Sequence, residues 1–156
     1  MELKELRQSK KLTQQQVADL VGISLRSYKS YENDKSKYGS IKYKYILDVL
    51  SEINKIDEDH GILSVEDITI GCRKIFESYK VNFCILFGSY AKGKASENSD
   101  VDLLISTSEK GLKYYGLIEE IRVALNKRVD ILDMAQLRDN LELTEEILKD
   151  GIKIYG

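Results

Sequence analysis

The chain has 156 residues, 42% of them hydrophobic and 32% charged, with a formal charge of −2. This composition excludes a disordered or fibrous chain and leaves room for one ordinary domain or two small ones. One histidine and two cysteines are too few for a structural zinc site, and no segment has the pattern of a secretory leader or a membrane span.

The charge is unevenly spread. Residues 1–55 hold 11 Lys+Arg against 7 Asp+Glu, whereas residues 56–156 hold 13 against 19. A basic head on an acidic body suits a nucleic-acid surface at the N-terminal end. In chain order, Leu3 and Leu6 mark the inner face of a first helix. Thr13 opens a second, with Gln16 at the third helical position completing a capping box. Val17, Leu20 and Val21 are its expected apolar stripe, and Gly22 ends it. Ser24 caps a third helix, Leu25 to Tyr31, with Tyr28 and Tyr31 inward. The Lys/Tyr-rich stretch 35–45 reads as a solvated loop with core tyrosines. Ile46, Val49, Leu50 and Ile53 then give a further helix. Short helices joined by a tight glycine turn predict a helix-turn-helix.

Leu12 to Ala18, then Gly22-Ile23-Ser24 and Ser30-Tyr31-Glu32-Asn33, closely resemble the XRE/Cro-type helix-turn-helix family over about residues 2–54. In that family the third helix enters the major groove. The resemblance implies Leu25, Arg26, Lys29 and Ser30 as residues facing bases, and Gln14 as a phosphate contact. It also implies operator DNA as a partner, and a homodimer, since such motifs read paired half-sites. Asp34 stands where the family usually has glycine, and the family's proline is missing from the next segment, so the exit from the third helix departs from the pattern.

Lys55 to Gly61 is polar and reads as a linker, with His60 as a linker side chain. The domains are therefore expected at 1–55 and 64–156, joined by 56–63. Ser64 and Asp67 form a capping box for a helix with Val65, Ile68, Cys72, Ile75, Phe76 and Tyr79 on one face. Cys72 on that helix and Cys84 on the next strand read as reduced core thiols of a cytoplasmic protein. Val81 to Phe87 and Val101 to Ile105 read as buried strands. Gly111 to Asn126 is expected as a helix with Leu112, Tyr115, Ile118, Ile121 and Leu125 inward. A strand over 128–133, a helix over 137–149 and a closing strand over 152–155 follow. Alternating helices and strands predict an α/β unit with a mixed sheet, and so an α+β, multi-domain chain with an all-α N-terminal bundle.

Between the first two strands lies a loop of small residues containing Gly88, Ser89, Lys92 and Lys94, followed by Asp100-Val101-Asp102. Side chains alternate along a strand, so Asp100 and Asp102 share a face. Two carboxylates about 4 Å apart repel by roughly 4 kcal/mol at an effective dielectric near 20. A divalent cation removes that cost, and magnesium takes carboxylates together with substrate phosphates. Gly88 allows close backbone approach to a phosphate, and Ser89 offers a hydroxyl and an N–H. The plain alternative is a polar loop with two solvated aspartates.

Gly88-Ser89, ten residues, then Asp100-x-Asp102 resembles the DNA polymerase beta-like nucleotidyltransferase superfamily, and the wider pattern resembles its minimal nucleotidyltransferase (MNT) branch over about residues 64–156. The resemblance implies a third carboxylate on a neighbouring strand. Asp130, in Arg-Val-Asp-Ile-Leu, matches it, while Asp133 with Gln136 reads as a helix cap. It further implies Asp100, Asp102 and Asp130 as catalytic ligands of two Mg2+ ions, ATP as donor, and Gly88, Ser89, Lys92 and Lys94 at the triphosphate. Many members of the branch resemble antitoxins that adenylylate a tyrosine of a HEPN-type toxin protein, so a homodimer or a hetero-oligomer with such a toxin is expected. The competing readings are a transcriptional regulator with a non-catalytic nucleotidyltransferase fold, and a small-molecule (antibiotic) nucleotidyltransferase.

Overall fold

In the computed structural model, which describes residues 1–156, the N-terminal unit, Met1–Lys55, is built from helices whose boundaries follow their caps. They are α1 (Leu3–Ser9), α2 (Gln14–Val21), α3 (Leu25–Asn33) and α4 (Ile41–Glu52). Thr13 Oγ1 accepts from the Gln16 N–H at 3.1 Å while Gln16 Oε1 accepts from the Thr13 N–H at 2.8 Å. This reciprocal pair starts α2. Gly22, at φ +70°, ends it, and Ser24 Oγ caps α3. Leu3, Val17, Ala18, Tyr28, Tyr43, Ile46 and Leu50 are the buried centre.

Leu20, expected inward, is 54% exposed. At 100° per residue the packed arc runs through Val17, Val21 and Ala18, and Leu20 falls about 60° beyond its edge. The unusual exit from α3 has a local explanation. Asp34 is extended, and its carboxylate accepts from the Ser36 N–H at 3.0 Å and hydroxyl at 2.7 Å, which starts a 3-10 turn over Lys35–Lys37. Tyr38 stacks on buried Tyr43 with centroids 4.7 Å apart, whereas Tyr45 is exposed. One buried carboxylate, Glu32, is fully partnered. Arg7 Nη2 donates to its Oε1 at 2.7 Å and Gln14 Nε2 to its Oε2 at 2.6 Å.

The second unit, Ile56–Gly156, comprises α5 (Val65–Glu77), β1 (Val81–Phe87), α6 (Gly88–Ala91), β2 (Val101–Thr107), α7 (Leu112–Leu125), β3 (Val129–Asp133), α8 (Leu141–Asp150) and β4 (Ile152–Tyr155). The sheet order is β3-β2-β1-β4. The β2–β3 pair is parallel, and β1 is antiparallel to both β2 and β4, which gives the mixed sheet. One face carries Cys84, Leu86, Val101, Leu103, Ile105 and Ile154, packed with Ile68, Cys72 and Phe76 of α5 and Leu117, Ile121 and Leu125 of α7. The other face carries Ile85, Phe87, Leu104 and Leu132 against Leu143 and Ile147 of α8. By strand alternation Asp102 and Asp130 belong to this second face.

The register of α7 differs from expectation. Leu112 is 90% and Tyr115 69% exposed, while Leu117, Ile121 and Leu125 are buried. Successive i+3 steps drift about 60° around a 3.6-residue helix, so a ladder from 112 by threes leaves the core face. The helix expected from 137 is divided. Asp133 and Gln136 close a capping box around a 3-10 turn, Met134–Leu137. Asn140 then recaps the chain, accepting from the Leu143 N–H at 3.1 Å. The polar stretch read as a linker is pinned within the second unit. Asn126 Nδ2 donates to the Ile56 carbonyl at 2.6 Å and Lys127 Nζ to the His60 carbonyl at 2.9 Å. Cys72 and Cys84 are buried free thiols. Burial pushes the Cys72 thiol up to about 12 and the Cys84 thiol also upward, so neither is a reactive thiolate.

Candidate functional site

The site is built where β1 stops. Phe87, its last residue, is the register partner of Asp102 on β2. Gly88 then turns at φ +70° into the single-turn helix α6. A β-carbon at Gly88 would collide with Asp102 Oδ2, so only glycine permits both the left-handed turn and the carboxylate beneath it. The loop folds back on α6: Lys92 N–H donates to the Gly88 carbonyl at 3.2 Å and Lys94 N–H to the Ser89 carbonyl at 2.9 Å. Ser96 and Ser99 close the next turn, with Ser96 N–H donating to Ser99 Oγ at 2.8 Å. The chain then enters β2 at Val101.

On β2 and β3 the register does the positioning. Asp102 is the Cα partner of Asp130 across the parallel pair, so the two carboxylates stand side by side on one face. Asp102 is partly buried and Asp130 exposed. Burial foremost, then the charges of Asp130, Asp100 and Glu146, push the Asp102 carboxyl up to about 6. Four carboxylates therefore share one field with too little positive charge to balance it. Asp100 is turned aside: its Oδ1 accepts from Arg128 Nε at 3.2 Å, which raises the guanidinium's pKa. No group of three or more His, Cys, Asp or Glu side chains stands close enough to hold a metal ion. The structure thus brings Asp102 and Asp130 together and holds Asp100 beside them on an arginine. The donor set is still the one a hard divalent cation prefers, oxygen only and carboxylate-rich. Asp102 and Asp130 are register partners with the Gly88 turn open against Asp102 Oδ2, and on that geometry the residues fit Mg2+.

The lysines diverge. Lys92 Nζ is 2.8 Å from Glu146 Oε1 on α8, and that carboxylate raises its pKa. Lys94 is exposed and makes no ion pair. A cavity of about 330 Å³ beside the aspartates is lined by Glu58, Asp100, Arg122, Arg128, Val129 and Asp130. A larger one, about 510 Å³, lies at the opposite ends of β2 and β3, between Thr107, Tyr114 and Met134.

In the N-terminal unit, Arg26 and Lys29 are exposed one turn apart on α3. Leu25 is half-buried at the first helical position. The Ser30 hydroxyl accepts from Lys37 Nζ, and the Gln14 amide is held by Glu32. Arg26 and Lys29 are therefore uncommitted, while Ser30 and Gln14 are already engaged.

Three participants carried no role in the sequence reading. Arg128 lies two residues before Asp130 and so on its face, which was a readable signal. Glu146 reaches the field from α8, with nothing local to announce it. Lys127 is buried, and its Nζ donates to the Glu97 carbonyl at 2.8 Å as well as to His60, tethering the loop that carries Asp100.

The family described as Polymerase beta, Nucleotidyltransferase matches residues 71–156, and the Helix-turn-helix family matches residues 3–38. A Methanocaldococcus jannaschii protein named as a protein adenylyltransferase is 33% identical over 85 residues, covering 53% of this chain and 86% of that protein. The protein adenylyltransferase MntA of Thermococcus cleftensis is 33% identical over 90 residues, covering 54% and 91%. A crystal structure of a toxin–antitoxin with AMP-PNP is 23% identical, covers 56% of this chain and 73% of that one, and has a TM-score of 0.47. With its Gly88–Asp102 approach lying inside the matched span, the chain belongs to the polymerase beta nucleotidyltransferase family, preceded by a helix-turn-helix unit.

Proposed function

We propose that this protein transfers AMP from ATP to a tyrosine hydroxyl of a HEPN-type toxin protein, and that it binds operator DNA through its helix-turn-helix unit to regulate its own expression. Residues 1–55 form the DNA-binding domain, 64–156 the catalytic domain, and 56–63 the segment between them. The observation that carries the reading is the Gly88 turn lying directly against the Asp102 carboxylate, with Asp130 its register neighbour. The names of the relatives support the protein acceptor.

Asp100, Asp102 and Asp130 would hold two Mg2+ ions, which when bound supply positive charge to the triphosphate and ease ionisation of the acceptor hydroxyl. The chain's own groups do the rest. Gly88 leaves room for a phosphate to lie against the backbone, and Ser89 offers its hydroxyl and N–H to the outgoing pyrophosphate. Lys94, free of ion pairs, neutralises that pyrophosphate, and Lys92 joins it on leaving Glu146. Asp130, exposed at the sheet edge, receives the acceptor proton. The acceptor oxygen bonds to the α-phosphorus, the bond to the bridging oxygen of the β-phosphate breaks, and pyrophosphate departs. On the DNA side, the planar fork of Arg26 suits a guanine edge, and Leu25, Lys29, Ser30 and Gln14 complete the contacts of α3 and the start of α2. Such sites are read in pairs, so the protein acts as a dimer or as a hetero-oligomer with the toxin.

Incubation with α-labelled ATP, Mg2+ and a HEPN-type protein tests the proposal. Label on that protein, lost in Asp102→Asn, is the expected result. Label on a small molecule in cell extract would make this an antibiotic-type transferase, and no label anywhere would leave a DNA-binding regulator.

A further inference from the structure

The parallel register continues one step beyond the strands. Val101 pairs with Val129, and the Val101 N–H donates to the Arg128 carbonyl at 2.9 Å. Four side chains therefore form two rungs on one face: Asp100 opposite Arg128, and Asp102 opposite Asp130. The first rung carries its own cation; the second has none. Arg128 is also shared. Its Nη1 is 3.8 Å from Glu58 Oε2, its Nη2 3.7 Å from Asp59 Oδ1, and its Nε 3.2 Å from Asp100 Oδ1. The side chains of all four are 44% exposed or more, so a swing of the guanidinium costs little packing.

We infer that Arg128 is a positioning residue which holds Asp100 aside in the cation-free protein and is displaced to Glu58 and Asp59 when a divalent cation takes Asp100. The inference rests on the reading of Asp100, Asp102 and Asp130 as cation ligands. A guanidinium bonded to a carboxylate that also binds a divalent ion meets twice the repulsion of a second unit charge at the same distance. The two receiving carboxylates stand just beyond hydrogen-bond distance and need only close on it. Their segment stays in place because Asn126 and Lys127, the two residues preceding Arg128, hold the Ile56 and His60 carbonyls. The exchange explains how a donor set chemically suited to a cation is found unassembled: Asp100 is stored on an internal cation.

The test follows the Arg128 Nε–H resonance in 15N-labelled full-length protein, assigned by its absence in Arg128→Lys, while Mg2+ is added without nucleotide. Calorimetry runs in parallel on wild type, Arg128→Gln and Asp102→Asn. The resonance is expected to move with the same midpoint as the binding isotherm. Arg128→Gln is expected to bind Mg2+ about two- to fivefold more tightly, the range of an exposed ion pair. Asp102→Asn is expected to lose binding. If Mg2+ binds but the Nε–H stays where it was, or Arg128→Gln binds no more tightly, the displacement is wrong and the carboxylate reading survives. If wild type binds no Mg2+ by either measure, both fall together.

Discussion

Each unit gathers charge around one carboxylate drawn back from solvent, and the two clusters are balanced in opposite ways. In the N-terminal unit one buried carboxylate, Glu32, meets one guanidinium and one amide, and every oxygen is used. In the second unit Asp102 is partly buried beside Asp130, Asp100 and Glu146, and the two nearby cations each pair with an outer member, Arg128 with Asp100 and Lys92 with Glu146, leaving Asp102 and Asp130 to share none. A cluster that closes on itself stabilises a fold. One left short of positive charge is suited to a bound cation, which would complete it. The comparison predicts opposite signs for mutations of similar chemistry.

The largest effect is expected at the closed cluster. Arg7→Met leaves Glu32 buried and unpaired, which costs about 3–5 kcal/mol. Thermal or urea melts of the full chain should show the N-terminal transition collapsing while the second unit's is unmoved. Adding Glu32→Leu should restore most of the loss, because an apolar pair of similar size replaces a buried ion pair at little cost. Failure of that rescue would mean the cluster does more than balance charge.

At the open cluster, Gly88→Ala combines a left-handed backbone with a collision against Asp102 Oδ2. The backbone term alone is about 1–2 kcal/mol, and the displaced carboxylate should abolish AMP transfer. Circular dichroism should show the helices and sheet retained; full transfer activity would mean that the approach of Gly88 to Asp102 is incidental.

Asp102→Asn should carry the reverse sign for stability. The folded Asp102 carboxyl sits at about 6 against about 3.9 in an unfolded chain. Between those values the folded state holds the extra proton, so its stability falls as pH rises from 4 to 6 and stays low above. Removing the charge should therefore stabilise the cation-free protein at pH 7 by roughly 1–3 kcal/mol, with no gain at pH 4, while transfer is lost. Melts at both pH values check it; destabilisation at pH 7 would mean that the cluster is already balanced.

Much of this was legible in the residues. Thr13/Gln16, Ser64/Asp67 and Asp133/Gln136 each closed the capping boxes their spacing implied, because a cap is decided within four residues. The β1 and β2 strands and their loop were legible because continuous apolar runs bracket small residues. Helix faces were less so. Leu20 and Leu112 are apolar but exposed, since which arc of a helix is buried depends on a partner the local sequence does not name. The same holds at the site. Asp102 and Asp130 follow from strand parity plus register, but Glu146 arrives from a distant helix, and Asp100's attachment to Arg128 depends on a choice among three carboxylates that only the folded chain presents.

The smallest effects are expected on the DNA side, where the same contrast sorts the α2 and α3 residues. Arg26 and Lys29 are exposed and uncommitted. Lys29→Ala should weaken all duplexes alike and lower the slope of log affinity against log salt by about 1. Arg26→Ala should also relax sequence preference, by about 1–3 kcal/mol at one base pair if its fork reads a guanine. Gln14→Ala should behave differently, because its amide is bonded to Glu32. Its effect should appear in the N-terminal melt, and its phosphate contact should show as weaker binding with the salt slope unchanged, because a neutral amide releases no counterion. Binding titrations at several salt concentrations separate these outcomes. Weaker binding of every duplex by Gln14→Ala at unchanged slope would show that the amide leaves Glu32 for a phosphate, so that the closed cluster too gives up a partner when its ligand arrives; a lowered melt with affinity unmoved would show that it stays on Glu32.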